Sequence, residues 1–131
     1  MERFLAKNSD VLPQVLDEIK GRRIYRADAE SESLKQLFRS GRLEAIDARD
    51  TAGDIYFEFS GTDFEIPEGD IDLVYIPSGK YTRYSEYVVW DLNSSTENSW
   101  RYAPIGIGDK GYIQLDRIQG NWFYEEVYYP T

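Results

Sequence analysis

The apolar positions along this chain change period once, near Gly41. Ahead of that point Val11, Leu12, Val15, Leu16 and Ile19 recur at helical spacing. Asn8, Ser9 and Asp10 offer N-cap oxygens, Pro13 falls in the first turn where its missing N–H does no harm, and Gly21 stands where a helix-ending glycine belongs. A second helix is predicted from Ser31 to Ser40, with Leu34, Leu37 and Phe38 as its apolar stripe and Gly41 as its stop. Both stripes are narrow and need a sheet to cover. Between them, Arg22 to Ala27 reads as a short strand.

Beyond Gly41 the period becomes 2. Arg42 to Arg49 is one candidate strand, and the turn Thr51-Ala52-Gly53-Asp54 leads into Ile55-Tyr56-Phe57-Glu58-Phe59, which alternates with Ile55, Phe57 and Phe59 inward. Ile71 to Ile76 follows, closed by Pro77-Ser78-Gly79, with Glu86 to Leu92 as its expected hairpin partner. At the end, Tyr112 to Gln119 and Trp122 to Tyr129 flank Gly120-Asn121, a two-residue loop suited to a primed hairpin turn. The stretch from Asn93 to Gly111 is long for a loop in a compact domain, so it holds either a strand around Trp100 to Ile105 or a functional loop.

Helices first and hairpin-connected strands afterwards predict an α+β fold. Two N-terminal helices should pack on one face of a twisted, mainly antiparallel sheet of roughly five to seven strands, open or barrel-like. The whole chain, 1–131, reads as a single domain with a helical part, 1–41, and a β-rich part, 42–131.

Composition narrows the chemistry. The chain has no Cys and no His, which removes disulfide scaffolds, thiol nucleophiles, zinc sites of the usual kind and every His-based triad. Aromatic residues reach 15%, which argues against intrinsic disorder. The first residues, MERFLAKNSD, lack the apolar run of a secretory signal, and no stretch approaches a membrane span, so a cytoplasmic protein is expected.

Charge changes the picture more. The net charge is −9, and residues 44–72 alone account for it. There Glu44, Asp47, Asp50, Asp54, Glu58, Asp63, Glu65, Glu68, Asp70 and Asp72 stand against the single cation Arg49. Alternation places Glu58, Asp70 and Asp72 on outward faces, with the other acids in connecting turns. Turns favour Asp in any case, but so concentrated a charge also steers cationic partners. Direct nucleic-acid or membrane-surface binding is disfavoured, because both rest on Lys and Arg. Carboxylates on one strand face repeat about every 6.7 Å, half the charge density of one DNA strand, so mimicry of DNA is not supported.

Several motifs fail on context. Gly106-Ile107-Gly108-Asp109-Lys110-Gly111 has the letters of a dinucleotide loop, but it precedes a strand rather than opening a helix. Gly79-Lys80 lacks the first glycine and the final Ser or Thr of a phosphate-binding loop. Glu68-Gly69-Asp70-Ile71-Asp72 does not follow the order of an EF-hand, and no metal or cofactor is expected. A pair of carboxylates could hydrolyse a glycoside, but nothing singles out such a pair.

Aromatic residues crowd the second half, where strand propensity accounts for many of them. Trp122, Tyr124 and Tyr128 alternate with Phe123, Val127 and Tyr129, so both faces of the last strand are apolar enough to need covering. Trp100-Arg101-Tyr102, in the long connecting stretch, are the expected interface anchors. The expected function is therefore a non-enzymatic module that binds a basic protein through the acids listed above from Asp47 to Asp72. An inhibitor or immunity-type protein that neutralises a toxin or nuclease has this physical profile. The competing expectation is a small-ligand binder, holding a sugar or an apolar molecule in an aromatic-lined pocket of the sheet.

Overall fold

The computed structural model describes residues 1–39, 42–60, 69–82, 89–103 and 110–129. Three short helices come first in the described residues: α1 (Glu2–Lys7), α2 (Leu12–Glu18) and α3 (Glu32–Phe38). A short edge strand β1 (Arg23–Tyr25) lies between α2 and α3. There follow β2 (Leu43–Asp47), β3 (Ile55–Phe59), β4 (Gly69–Tyr75), β5 (Lys80–Thr82), β6 (Val89–Asp91), β7 (Ser99–Tyr102), β8 (Tyr112–Gln119) and β9 (Trp122–Tyr128). Seven strands form one open antiparallel sheet in the order β1-β2-β3-β4-β9-β8-β7, and β5 pairs with β6 in a separate ribbon. The fold is α+β, and the sheet does not close into a barrel.

The helix α3 begins where expected, and its N-cap is Ser31, whose hydroxyl accepts from the Leu34 amide at 3.2 Å. The capping of α2 is not as expected. Its N-cap is Val11, and Asn8 instead closes the preceding helix, donating from Nδ2 to the Phe4 carbonyl at 2.8 Å. The residues taken for a cap thus belong to the end of α1, a helix too short to show a stripe. Gly21 adopts φ 75° and donates its N–H to the Ala48 carbonyl, tying the end of α2 to the sheet.

One strand pairing needs correction. The strand β4 does not pair with the segment ending at Leu92; its neighbours are β3 and β9, so it is central. Val89–Asp91 pairs with Lys80–Thr82 instead. The long stretch after Asn93 does contain a strand, β7, which pairs with β8. The last hairpin forms over Gly120-Asn121 with Gly120 at φ 53°.

The sheet is covered diagonally. On one face the helices pack Leu12, Val15, Ile19, Leu34 and Leu37 against Ile46, Phe57, Ile71 and Leu73. On the other face a second core joins Val74, Leu115, Phe123 and Trp100 to Tyr81 and Leu92 of the ribbon region. Among the described residues, cover on opposite sides leaves two stretches of sheet without a helix or the ribbon over them. One carries the acids.

Candidate functional site

On the face away from the helices, alternation along β2, β3 and β4 brings Asp47, Tyr56, Glu58 and Asp72 side by side. Asp47 is opposite Tyr56, and Glu58 is opposite Asp72. A β-bulge between Leu43 and Ala45 interrupts the alternation and leaves Glu44 exposed at the border of this face. Together with Asp50, Asp70, Arg49 and Phe59 these residues line a concavity of about 580 Å³.

Like charges opposite one another weaken a sheet, and Glu58 facing Asp72 is such a pair. Arg23 answers it from β1. Its Nη2 donates to Glu58 Oε1 at 2.8 Å, its Nη1 donates to Glu58 Oε2, and Nη1 also reaches Asp47 Oδ2 at 3.0 Å. Its Nε donates to the Tyr25 hydroxyl at 2.8 Å. The hydrogen bond to Glu58 is the main reason the guanidinium's pKa is raised. Arg49 grips Asp47 from the other side, with Nε on Oδ1 at 3.0 Å and Nη2 on Oδ2 at 2.9 Å. That grip, before any other cause, holds the Asp47 carboxyl down at about 2. Two arginines therefore offset part of the acid row. Glu44, Asp50 and Asp70 are exposed and turn their charge to solvent.

The structure brings together Asp47, Asp50, Glu58, Asp70 and Asp72 of the expected acids, and adds Glu44. Asp63, Glu65 and Glu68 lie outside the described residues. Asp54 stands apart: it is buried, and desolvation, with Asp50 nearby, pushes its carboxyl up to about 6. Asp72 corrects the alternation argument, because it is only 4% exposed. Its face was expected to be outward, but that face enters the second core at Val74. Glu125 lies opposite Asp72 on β9 and is fully buried. Burial, then Asp72, raises its carboxyl well above the ordinary range. The sequence carried a signal for this residue, since Phe123, Glu125 and Val127 share one face of an alternating strand.

The expected aromatic anchors separate. Trp100 is a core residue, its ring 6.2 Å from that of Phe123. Tyr102 is half-buried against Trp90. Arg101 is exposed on the opposite face, stacked 4.1 Å over Tyr112 and donating to Gln114 at 2.8 Å. Trp90 also stacks on Tyr81, and Trp122 packs against Phe57 and Tyr75. The described cavities are not lined by these tryptophans.

Among the described residues no group of three or more Asp or Glu side chains is arranged to hold a metal ion, and no helix is long and apolar enough to cross a membrane. No family model, no curated protein and no solved structure matches the chain.

Proposed function

We propose that this protein is a non-enzymatic binding module whose acidic concavity receives the basic surface of a partner protein, as an inhibitor or immunity-type protein neutralises a cationic toxin or nuclease in the cytoplasm. One observation carries the reading: among the described residues, one concavity is lined by Glu44, Asp47, Asp50, Glu58, Asp70 and Asp72, and Glu44, Asp50 and Asp70 are exposed there. The exposed carboxylates steer the encounter, and electrostatic complementarity of this kind sets association rate and selectivity more than final affinity. Arg23 and Arg49 hold the inner carboxylates in fixed rotamers, so the partner meets a preformed surface.

The test is affinity capture from a lysate of the source cells with the native chain and with a variant carrying Glu44→Gln, Asp50→Asn and Asp70→Asn. The expected result is a basic protein held at low salt, released at high salt and poorly held by the variant. Retention indifferent to both salt and substitution would remove the acidic face from the function.

A further inference from the structure

A second hollow lies between α1 and the end of β3. Its volume is about 380 Å³, within the roughly 300–1,000 Å³ of small-molecule sites. Apolar groups form its floor: Phe59 is buried, and Phe4 and Met1 are half-buried. The rings of Phe4 and Phe59 meet edge to face at 5.3 Å, which fixes the floor's shape. Around it stand Arg3, Lys7 and Arg42, all exposed. Arg3 and Lys7 are four residues apart on α1 and so share one helix face.

The sign of this rim is the informative point. In a protein of net charge −9, the described lining of this hollow contains three cations and no acid. Asn8 and Gln36 close it on the α3 side. Asn8 is 2% exposed and spends its amide on the Phe4 carbonyl, and Gln36 donates to Asn8 at 3.4 Å and to Asp10 at 3.3 Å. That side wall is held by its own hydrogen bonds, one of them to the exposed Asp10 carboxylate.

We propose that this hollow binds a medium-chain carboxylate, with the chain on Phe4, Phe59 and Met1 and the carboxylate at the rim between Arg3 and Lys7. An apolar floor favours the chain by removing it from water. A guanidinium and an ammonium beside it favour an anionic head through charge-assisted hydrogen bonds. A cationic head on the same chain meets repulsion instead. The site is separate in charge and chemistry from the acidic concavity, although Phe59 borders both.

Titration of the native protein with octanoate and with octylammonium, followed by calorimetry and by amide NMR, tests this. Octanoate is expected to bind saturably, with shifts centred on Phe4 and Phe59, and octylammonium to bind at least about tenfold more weakly. The double variant Arg3→Gln, Lys7→Gln replaces two exposed side chains, so its melting temperature should match the native one while octanoate affinity falls about tenfold or more. The proposal is overturned if octanoate does not saturate, if the two amphiphiles bind alike, if the double variant binds octanoate as the native chain does, or if the shifts centre elsewhere.

Discussion

Asp72 on β4 and Glu125 on β9 face each other directly across an antiparallel pair, and both are buried. A hydrogen bond between two carboxyl groups needs a proton, and here burial and the Asp72 charge make Glu125 hold one far above its ordinary range. The unfolded chain releases that proton near the ordinary value of 4.5. Below that pH both states are protonated and the group costs nothing. As pH rises through and beyond it, the native state alone keeps the proton, and stability is lost. Glu125→Gln can still donate to Asp72 and carries no charge. It should flatten the fall in melting temperature between pH 5 and pH 8 and raise the value at pH 8. A variant whose pH profile parallels the native one would show that the pair does not govern it.

Asp54 adds a smaller contribution of the same sign. Its carboxyl titrates at about 6 in the fold against an ordinary 3.8, so stability is lost as pH rises between those values and is fully lost above about 6. Asp54→Asn should recover roughly 2 kcal/mol above pH 6 and little below pH 4. Urea melts at the two ends of that range measure the difference.

Asp47 behaves in the opposite sense. Held at about 2, it contributes stability above its ordinary 3.8 that disappears as pH falls toward 2. Arg49 is the main cause, so Arg49→Gln should move the Asp47 carboxyl back toward 3.8, visible in a carbon-detected NMR titration. Arg23→Ala should cost roughly 1–2 kcal/mol by chemical denaturation, because Glu58 is then left facing Asp72 without its cation. An unchanged midpoint in that melt would mean solvent screens the pair completely.

Trp100 and Arg101 are neighbours with opposite roles. Trp100→Ala empties part of the second core and should cost roughly 3–5 kcal/mol. Arg101→Ala removes an exposed side chain stacked on Tyr112 and should stay within about 1 kcal/mol. Guanidinium melts of the two variants decide whether this strand serves packing or recognition.

Much of the architecture was legible where local chemistry and tertiary packing agree. Ile55–Phe59 alternates, is bounded by a turn, and forms β3 at those limits. Gly120-Asn121 fixes the last hairpin, and α3 lies within the stretch predicted from Ser31. Partnership between strands distant in sequence was not legible, because the alternation of Ile71–Ile76 says which side chains share a face and nothing of which strand lies alongside. The same gap explains Asp72. Period 2 places it on the face away from Ile71 and Leu73, but only tertiary packing, with Tyr81 and Leu92 brought against Val74 and Phe123, makes part of that second face an interior. The acidic segment was visible as a charge run, whereas the two arginines that organise it come from Arg23, on an edge strand far back in sequence, and Arg49, the cation within the run.

The diagonal covering of the sheet has a bearing on how this chain tolerates substitution. Leu73 and Val74 are adjacent in β4, yet they belong to different cores. A pair of changes at Phe57 and Ile19 shares one core and should show strong epistasis, while Phe57 and Leu115 lie in separate cores and should combine additively within about 0.5 kcal/mol. Several strands of the sheet reach both: Val74 of β4, Phe123 of β9 and Leu115 of β8 lie in the second core, while Leu73, Trp122 and Ile118 of the same strands meet the first. Variation can therefore accumulate on either side of the molecule with little effect on the other, provided that the strands shared by both cores stay as they are.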